Sequence, residues 1–399
     1  NKIVYSILLF IFCLGYGIAQ NGLKKYPFVK DNLNFIHNAE ELNSFFSVLK
    51  ESDKEQVSVL HIGDSHLQAN LITDILRKGF QKKFGNAGRG LIVPYKVAGT
   101  NSPGDIVSTS DSGKWEGKRN CKPLLPQATG IGGITIESTD STSAFSVTLP
   151  GKEYEFTKMT VFFQNDETSY DLQVVNLTDM QVFDLKEFSN DKNKNVADIK
   201  FTSPTTRVQF LSKKTSPEQT HTTIFGINTE NDQKGLVYHS IGVNGAEYFH
   251  YDTSEYFNEE TPFLNPDVII ISLGTNEAYR KDVDFDPEKI KEEINSLVAN
   301  LKKYNPGVPF LITTPAYAYK NKVQNPRLKT IRDTLVSYCE ENKLAYWDLQ
   351  TITGSASNWK TYNLFSKDLV HFNKDGYQLQ GNLLLNALLN AYNQYVTNH

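Results

Sequence analysis

Basic charge is in short supply. Lys+Arg 41 stand against Asp+Glu 45, for a net charge of −4 and a pI near 6.1. A protein that grips a phosphate backbone needs a basic excess, so nucleic acid is excluded as the main partner. Cysteine is scarce as well, three in 399 residues, which excludes a disulfide-built scaffold. Cys13 lies in an apolar run; Cys121 and Cys339 leave one bridge open in an oxidising compartment. No apolar run reaches the ~20 residues that span a bilayer. Charged residues, at 22%, are too few for a disordered chain, and 39% hydrophobic residues can fill a sizeable core. At ~150 residues per domain, the length corresponds to two to three domains or one large fold with an insertion. Aromatic residues, at 12%, favour β-rich structure and suit sugar-binding surfaces.

The chain opens with Lys2, an apolar run over 3–14, and small residues ending Gly17-Ile18-Ala19. This pattern describes a secretory signal peptide over 1–19, with a mature start near Gln20 and an exported protein, periplasmic or extracellular. Phe12, directly before Cys13, argues against lipid attachment there. An amphipathic first helix is the alternative reading.

Strand and helix periodicities alternate in two separate stretches. Residues 38–52 have helical spacing, 57–62 read as a buried strand, and 67–84 return to helical spacing. Alternation resumes after 235. Strands are expected at 236–241, 267–273, 308–313 and 344–347, and helices at 287–304, 326–342 and 373–396. Such order predicts a parallel sheet covered by helices on both faces, with ligands beyond the carboxyl ends of its strands. Between these stretches Gly, Ser and Thr become frequent, and short alternating segments occur at 145–149, 159–164, 171–175, 207–211 and 222–227. They predict a β-sandwich. The expected organisation is a signal peptide over 1–19, an α/β domain in two parts, 20–94 and 235–399, and a sandwich inserted over 95–234.

Four constellations follow strands or precede a helix. Gly63-Asp64-Ser65-His66 puts a serine at a helix start, where free N–H groups favour a developing anion. Simple helix capping by Asp64 or Ser65 is the competing reading. In Gly242-Val243-Asn244-Gly245-Ala246, a glycine lets a backbone N–H approach a ligand. Gly274-Thr275-Asn276-Glu277 places a side-chain amide where it can donate to an oxyanion, or merely serve a turn. In Asp368-Leu369-Val370-His371 the carboxylate can take the Nδ1 proton and leave Nε2 facing a serine. A surface loop is the bland alternative.

The order Ser, Gly, Asn, Asp-x-x-His resembles the SGNH, or GDSL-type, hydrolase superfamily over about 55–94 and 235–396. The resemblance implies a flavodoxin-like, three-layer α/β fold with a parallel sheet. It implies Ser65 as nucleophile, His371 as base and Asp368 as its orienter, with an oxyanion hole from the Ser65 N–H, the Gly245 N–H and the Asn276 side chain. Gly242 competes with Gly245 for that place. Two departures stand out: GDSH in place of GDSL, and Glu277 where Asp is common. Phe84-Gly85-Asn86-Ala87-Gly88-Arg89-Gly90 and the β-rich insertion give a narrower resemblance to bacterial peptidoglycan O-acetylesterases, whose insertion is carbohydrate-binding-like. The implied activity is removal of O-acetyl groups from a glycan such as a cell-wall polymer, with no metal and no organic cofactor. Three other readings stand beside it: an O-acyltransferase using the same site, a non-catalytic carbohydrate-binding protein, and a metallophosphoesterase suggested by Asp64-Ser65-His66. The last lacks the downstream Gly-His-x-His that two metals need.

Overall fold

The computed structural model describes residues 25–122 and 128–399. The expected signal peptide and the mature start near Gln20 lie outside the described residues.

Six strands form a wholly parallel sheet: β1 (Gln56–Gly63), β2 (Asn86–Gly88), β3 (Gly235–Gly242), β4 (Val268–Ser272), β5 (Phe310–Thr313) and β6 (Ala345–Trp347). Their order is β2-β3-β1-β4-β5-β6. Alternate residues of each strand enter opposite cores, which is why the strands read as continuous apolar runs. Val57, Val59 and Ile270 pack with Phe45, Phe46, Leu76, Phe80 and Leu384, from helices α1 (Asn43–Lys50), α2 (Leu71–Phe84) and α5 (Lys374–Asn398). Leu60, Ile62, Ile269 and Ile271 pack with Ile290, Ile294, Ile331 and Leu335, from α3 (Pro287–Tyr304) and α4 (Arg327–Asn342). The result is the expected three-layer α/β/α arrangement. Helix starts are set locally. Asp286 accepts the Glu288 and Lys289 N–H groups with Pro287 at the first helical position, and Asn373 accepts that of Gly376.

Between β2 and β3 the chain builds two antiparallel sheets. One orders its strands Val182–Asp184, Asp171–Asn176, Arg207–Lys213, Ala144–Thr148, Val107–Ser112. The other runs Ser189–Asn190, Asn193–Thr205, Phe156–Phe163, Thr222–Glu230, Ile134–Ser138, Glu116–Arg119. They face one another: the Phe183 ring of the first lies 5.3 Å from that of Phe201 in the second. Gly90–Ile92 already pairs with Thr222–Glu230, so the sandwich's hydrogen bonding begins slightly ahead of residue 95.

Two expectations are corrected. The single helix over 67–84 is broken into Ser65–Gln68 and α2, because Asn70 takes a left-handed conformation with φ +60, which asparagine tolerates better than most residues. Its Nδ2 donates to Asp105 at 3.2 Å, tying the break to the insertion. The bridge left open between Cys121 and Cys339 does not form: both are free and buried. Among the described residues, no helix is long and apolar enough to cross a membrane.

Candidate active site

Strand register aligns the carboxyl edge. Gly63 of β1 pairs with Gly242 of β3 on one side and Ser272 of β4 on the other. The chain crosses from one side of β1 to the other between β3 and β4, and ligands of open α/β sheets sit at such a reversal. Ser65, Gly245 and Asn276 each lie a few residues beyond that row.

The capping question at Ser65 is answered by its neighbour. Asp64 caps the helical turn, its carboxylate accepting the His66 N–H at 2.9 Å. The serine hydroxyl is therefore left for another partner, and Ser65 Oγ lies 2.8 Å from His371 Nε2. On the far side of that ring, Nδ1 lies 2.7 Å from Asp368 Oδ2. The second oxygen of Asp368 accepts the Val370 and His371 N–H groups, both at 2.9 Å, and the Ser366 hydroxyl at 2.7 Å. Burial works to raise the Asp368 carboxyl, but the bond to His371 and these other donors outweigh it and hold it well below the usual carboxylate range. The loop 366–371 is closed by backbone bonds from Ser366 N to His371 O and from Leu369 N to Ser366 O. Leu369 takes φ +58 to make that tight return. Tyr319 N donates to Leu369 O at 3.0 Å, fixing the loop to the scaffold.

Three further groups are potential donors. Asn276 Nδ2 is anchored to Ala246 O at 2.9 Å and reaches Asp64 Oδ2 only at 3.5 Å. The Ser65 and Gly245 N–H groups have no partner among the described residues. The two competing glycines differ in their surroundings. A Cβ on Gly242 would fall 2.3 Å from Gln68 N, so that glycine exists to let β3 pack against the turn after Ser65. A Cβ on Gly245 would meet only Cys121 Sγ at 3.5 Å, and Gly245 has φ +89. Gly245 is thus the glycine in an open turn.

The two departures from the family pattern have distinct surroundings. His66 is half-buried; its Nδ1 lies 3.1 Å from the Tyr377 hydroxyl and its ring centroid 5.1 Å from that of His371. Burial pushes His66 down to about 3, with the nearby His371 acting in the same direction, so it stays neutral. Glu277 is fully buried and accepts the Tyr248 N–H at 3.0 Å. Burial, reinforced by Glu247, raises it to about 8. Asp64, also buried, is raised to about 7 by burial.

A supporting network was not visible in the sequence. Gln68 Oε1 accepts the Asn244 N–H at 2.8 Å, and Gln68 Nε2 donates to Asn101 Oδ1 at 2.8 Å. Asn244 Nδ2 also donates to Asn101 Oδ1, at 2.6 Å. Three segments distant in sequence meet here, and nothing in their local pattern marks them. Among the described residues, no group of three His, Cys, Asp or Glu lies close enough to hold a metal ion.

Residues 226–379 match the GDSL-like lipase/acylhydrolase family. That stretch contains Gly245, Asn276, Asp368 and His371; Ser65 precedes it, on the other side of the insertion. A search of curated proteins found no match. Among solved structures, a peptidoglycan O-acetylesterase is similar over 90% of this chain and 99% of its own, at 20% identity and TM-score 0.74. A GDSL-like lipase from Bacteroides thetaiotaomicron is similar over 39% of this chain and 76% of its own, at 18% identity and TM-score 0.32. An acetylxylan esterase from Geobacillus stearothermophilus is similar over 40% of this chain and 73% of its own, at 18% identity and TM-score 0.31. The first match spans both the α/β layers and the sandwich and fixes the fold; the other two add nothing to the argument.

Proposed function

We propose that this chain, a carboxylic ester hydrolase of the GDSL-like acylhydrolase type, is an exported serine esterase that removes O-acetyl groups from a glycan, with peptidoglycan the leading substrate. The observation that carries the reading is the continuous relay from Ser65 Oγ through His371 to Asp368. His371 Nε2 takes the hydroxyl proton as Ser65 Oγ attacks the acetyl carbonyl. Asp368 holds the imidazole tautomer and stabilises the imidazolium. The carbonyl oxygen becomes an oxyanion facing the Ser65 and Gly245 N–H groups and the Asn276 amide. Collapse breaks the bond to the sugar oxygen, which receives the proton from His371. Water, deprotonated by His371, then attacks the acetyl-enzyme, and acetate leaves as Ser65 regains its proton.

The choice of glycan is supported by the fold shared with the peptidoglycan O-acetylesterase along nearly the whole chain. In this reading the sandwich orients the polymer, and remote binding energy is used at the reacting centre. Its exposed apolar residues Met180, Val182 and Phe188 are the positions to vary. Their replacement should lower acetate release from polymer while sparing a small chromogenic acetyl ester; equal loss on both would assign them to stability instead. The deciding assay supplies O-acetylated peptidoglycan, acetylated xylan and O-acetylated sialic acid and measures acetate. Fastest release from peptidoglycan, abolished in Ser65→Ala, is expected; no release from any of the three would overturn the reading. Export is tested by fractionating cells that carry the chain with and without residues 1–19.

A further inference from the structure

The oxyanion donor assigned to Gly245 belongs to a peptide that has two possible orientations. Ala246 N donates to Val243 O at 3.0 Å, closing a four-residue turn over 243–246. Its third residue, Gly245, has φ +89, the conformation of a type II turn. Type I and type II turns differ by a half-rotation of the central peptide. Here that peptide joins Asn244 to Gly245 and carries the Gly245 N–H. In a trans peptide the carbonyl and the N–H point in opposite directions. Whatever holds the Asn244 carbonyl therefore aims the Gly245 N–H.

The group that holds it comes from the insertion. Cys121 Sγ donates to Asn244 O at 3.2 Å. Cys121 sits in a tight turn closed by Lys122 N to Arg119 O at 3.0 Å and Arg119 N to Lys122 O at 3.1 Å, with Asn120 N bonded to Gly133 O at 2.9 Å. Cys121 is 8% exposed, and burial pushes its pKa up, so it keeps the proton it donates. On the other side of Asn244, Gln68 Oε1 fixes the N–H at 2.8 Å. The peptide preceding the donor is thus fixed from the catalytic domain and the donor peptide from the sandwich.

We propose that Cys121 is a positioning residue: its thiol holds the 243–246 turn in the type II form and so aims the Gly245 N–H at the oxyanion. The proposal rests on the serine-esterase reading of Ser65, Gly245 and Asn276. It also gives the insertion a part in catalysis that is independent of substrate binding. A thiol is a weak donor, so the effect falls below that of deleting an oxyanion donor outright, which costs ~10²–10³ in kcat.

The test pairs kinetics with a direct view of the peptide. Cys121→Ala and Cys121→Val remove the donor at smaller and similar bulk, so a folding failure of one leaves the other. Each should lower kcat on a small acetyl ester by ~10-fold, with KM within twofold of the parent, and Cys121→Ser should recover most of it. The sequence contains two Asn-Gly pairs, Asn21-Gly22 and Asn244-Gly245. Carbonyl-labelled asparagine with nitrogen-labelled glycine therefore leaves two signals in an NMR spectrum of the full chain, and Asn21→Gln identifies that of Asn244–Gly245 by removing the other. Both its carbonyl and amide resonances should move in the Ala and Val variants and return toward the parent in Ser. Unchanged kcat, or a loss of kcat with an unmoved Asn244–Gly245 signal, would overturn the proposal. If the parent protein hydrolyses no ester, the serine-esterase reading fails first, and the resonances still decide whether Cys121 holds the peptide.

Discussion

His371 Nε2 lies 2.8 Å from Ser65 Oγ although 306 positions separate the two residues. The contact joins the end of β1 to the loop before α5. Ser65→Ala deletes one oxygen from a half-buried turn that Asp64 caps, so melting temperature should stay near that of the parent. Turnover should fall by several orders of magnitude, because relay members act as a unit. A serine-directed phosphonate should label Ser65. Near-normal turnover in the variant, or labelling of a different serine, would move the site.

Asp368 carries a second expectation. Its carboxyl is held below the usual range against the opposing effect of burial, so it remains ionised throughout the mildly acidic range. Asp368 should then contribute no proton to the acid limb of kcat/KM in that range. Asp368→Asn keeps the shape but offers Nδ1 the wrong partner, and about 10⁴ in kcat should be lost, as for a triad whose tautomer is reversed. An acid limb of the parent that loses one proton-dependent step in the residual activity of Asp368→Asn would mean that Asp368 titrates in that range and contradict its assignment.

Asn276 is held by Ala246 O at 2.9 Å and touches Asp64 only at 3.5 Å, so one amide proton is weakly engaged and available to an oxyanion. Asn276→Ala should lower kcat by ~10²–10³ with little change in KM. A raised KM at constant kcat would make Asn276 a contact to the ground-state substrate.

Much of this arrangement is legible in the sequence because its parts are local. β1 and β4 are apolar runs buried on both faces, and each is followed within a few residues by a site group, so strand and motif identify each other. The loop with Asp368 and His371 is equally local. β2 escaped reading because three residues, Asn86-Ala87-Gly88, carry no strand periodicity; its pairing with β3 comes from the scaffold. The strand Asn193–Thr205 is polar or charged at many positions, since much of it faces solvent. The break at Asn70 depends on Asp105, which belongs to the insertion. Gln68, Asn101, Asn244 and Cys121 converge only in three dimensions. Glu277 looks like a conservative exchange in the sequence and becomes a buried acceptor only once the helix Tyr248–Asp252 is placed against it.

The two glycines of the second constellation make opposite predictions. A Cβ on Gly242 would sit 2.3 Å from the backbone of Gln68, and overpacking of this kind costs about 1–3 kcal/mol. Gly242→Ala should therefore lower the melting temperature markedly. Gly245→Ala meets only Cys121 Sγ, at an ordinary contact distance of 3.5 Å, but must hold φ +89, a left-handed strain of about 1–2 kcal/mol that a flip of the turn would relieve. Its chief effect should be on kcat. Melting curves and kinetics on both variants separate the roles. The reverse result, a stable Gly242→Ala without activity beside an active Gly245→Ala, would transfer the oxyanion N–H to Gly242.

Glu277 predicts how stability depends on pH. Burial, with Glu247 adding to it, raises its folded-state pKa from 4.5 to about 8. Across that window the unfolded chain has released the proton while the folded protein retains it. Unfolding therefore releases a proton, and rising pH favours the unfolded chain. The contribution is full below about pH 4.5 and is lost as pH climbs to about 8. Glu277→Gln removes the titration and keeps an oxygen to accept the Tyr248 N–H, which lies 3.0 Å away. The amide nitrogen replaces an oxygen that has no partner among the described residues, so a constant penalty can accompany the exchange without changing its pH dependence. Melting temperatures of the two proteins, measured from pH 4.5 to 9, should diverge in favour of the variant up to about pH 8 and run parallel above it. Parallel curves throughout would show that Glu277 does not titrate in the folded protein and that the carboxyl beside Asn276 enters the fold already charged.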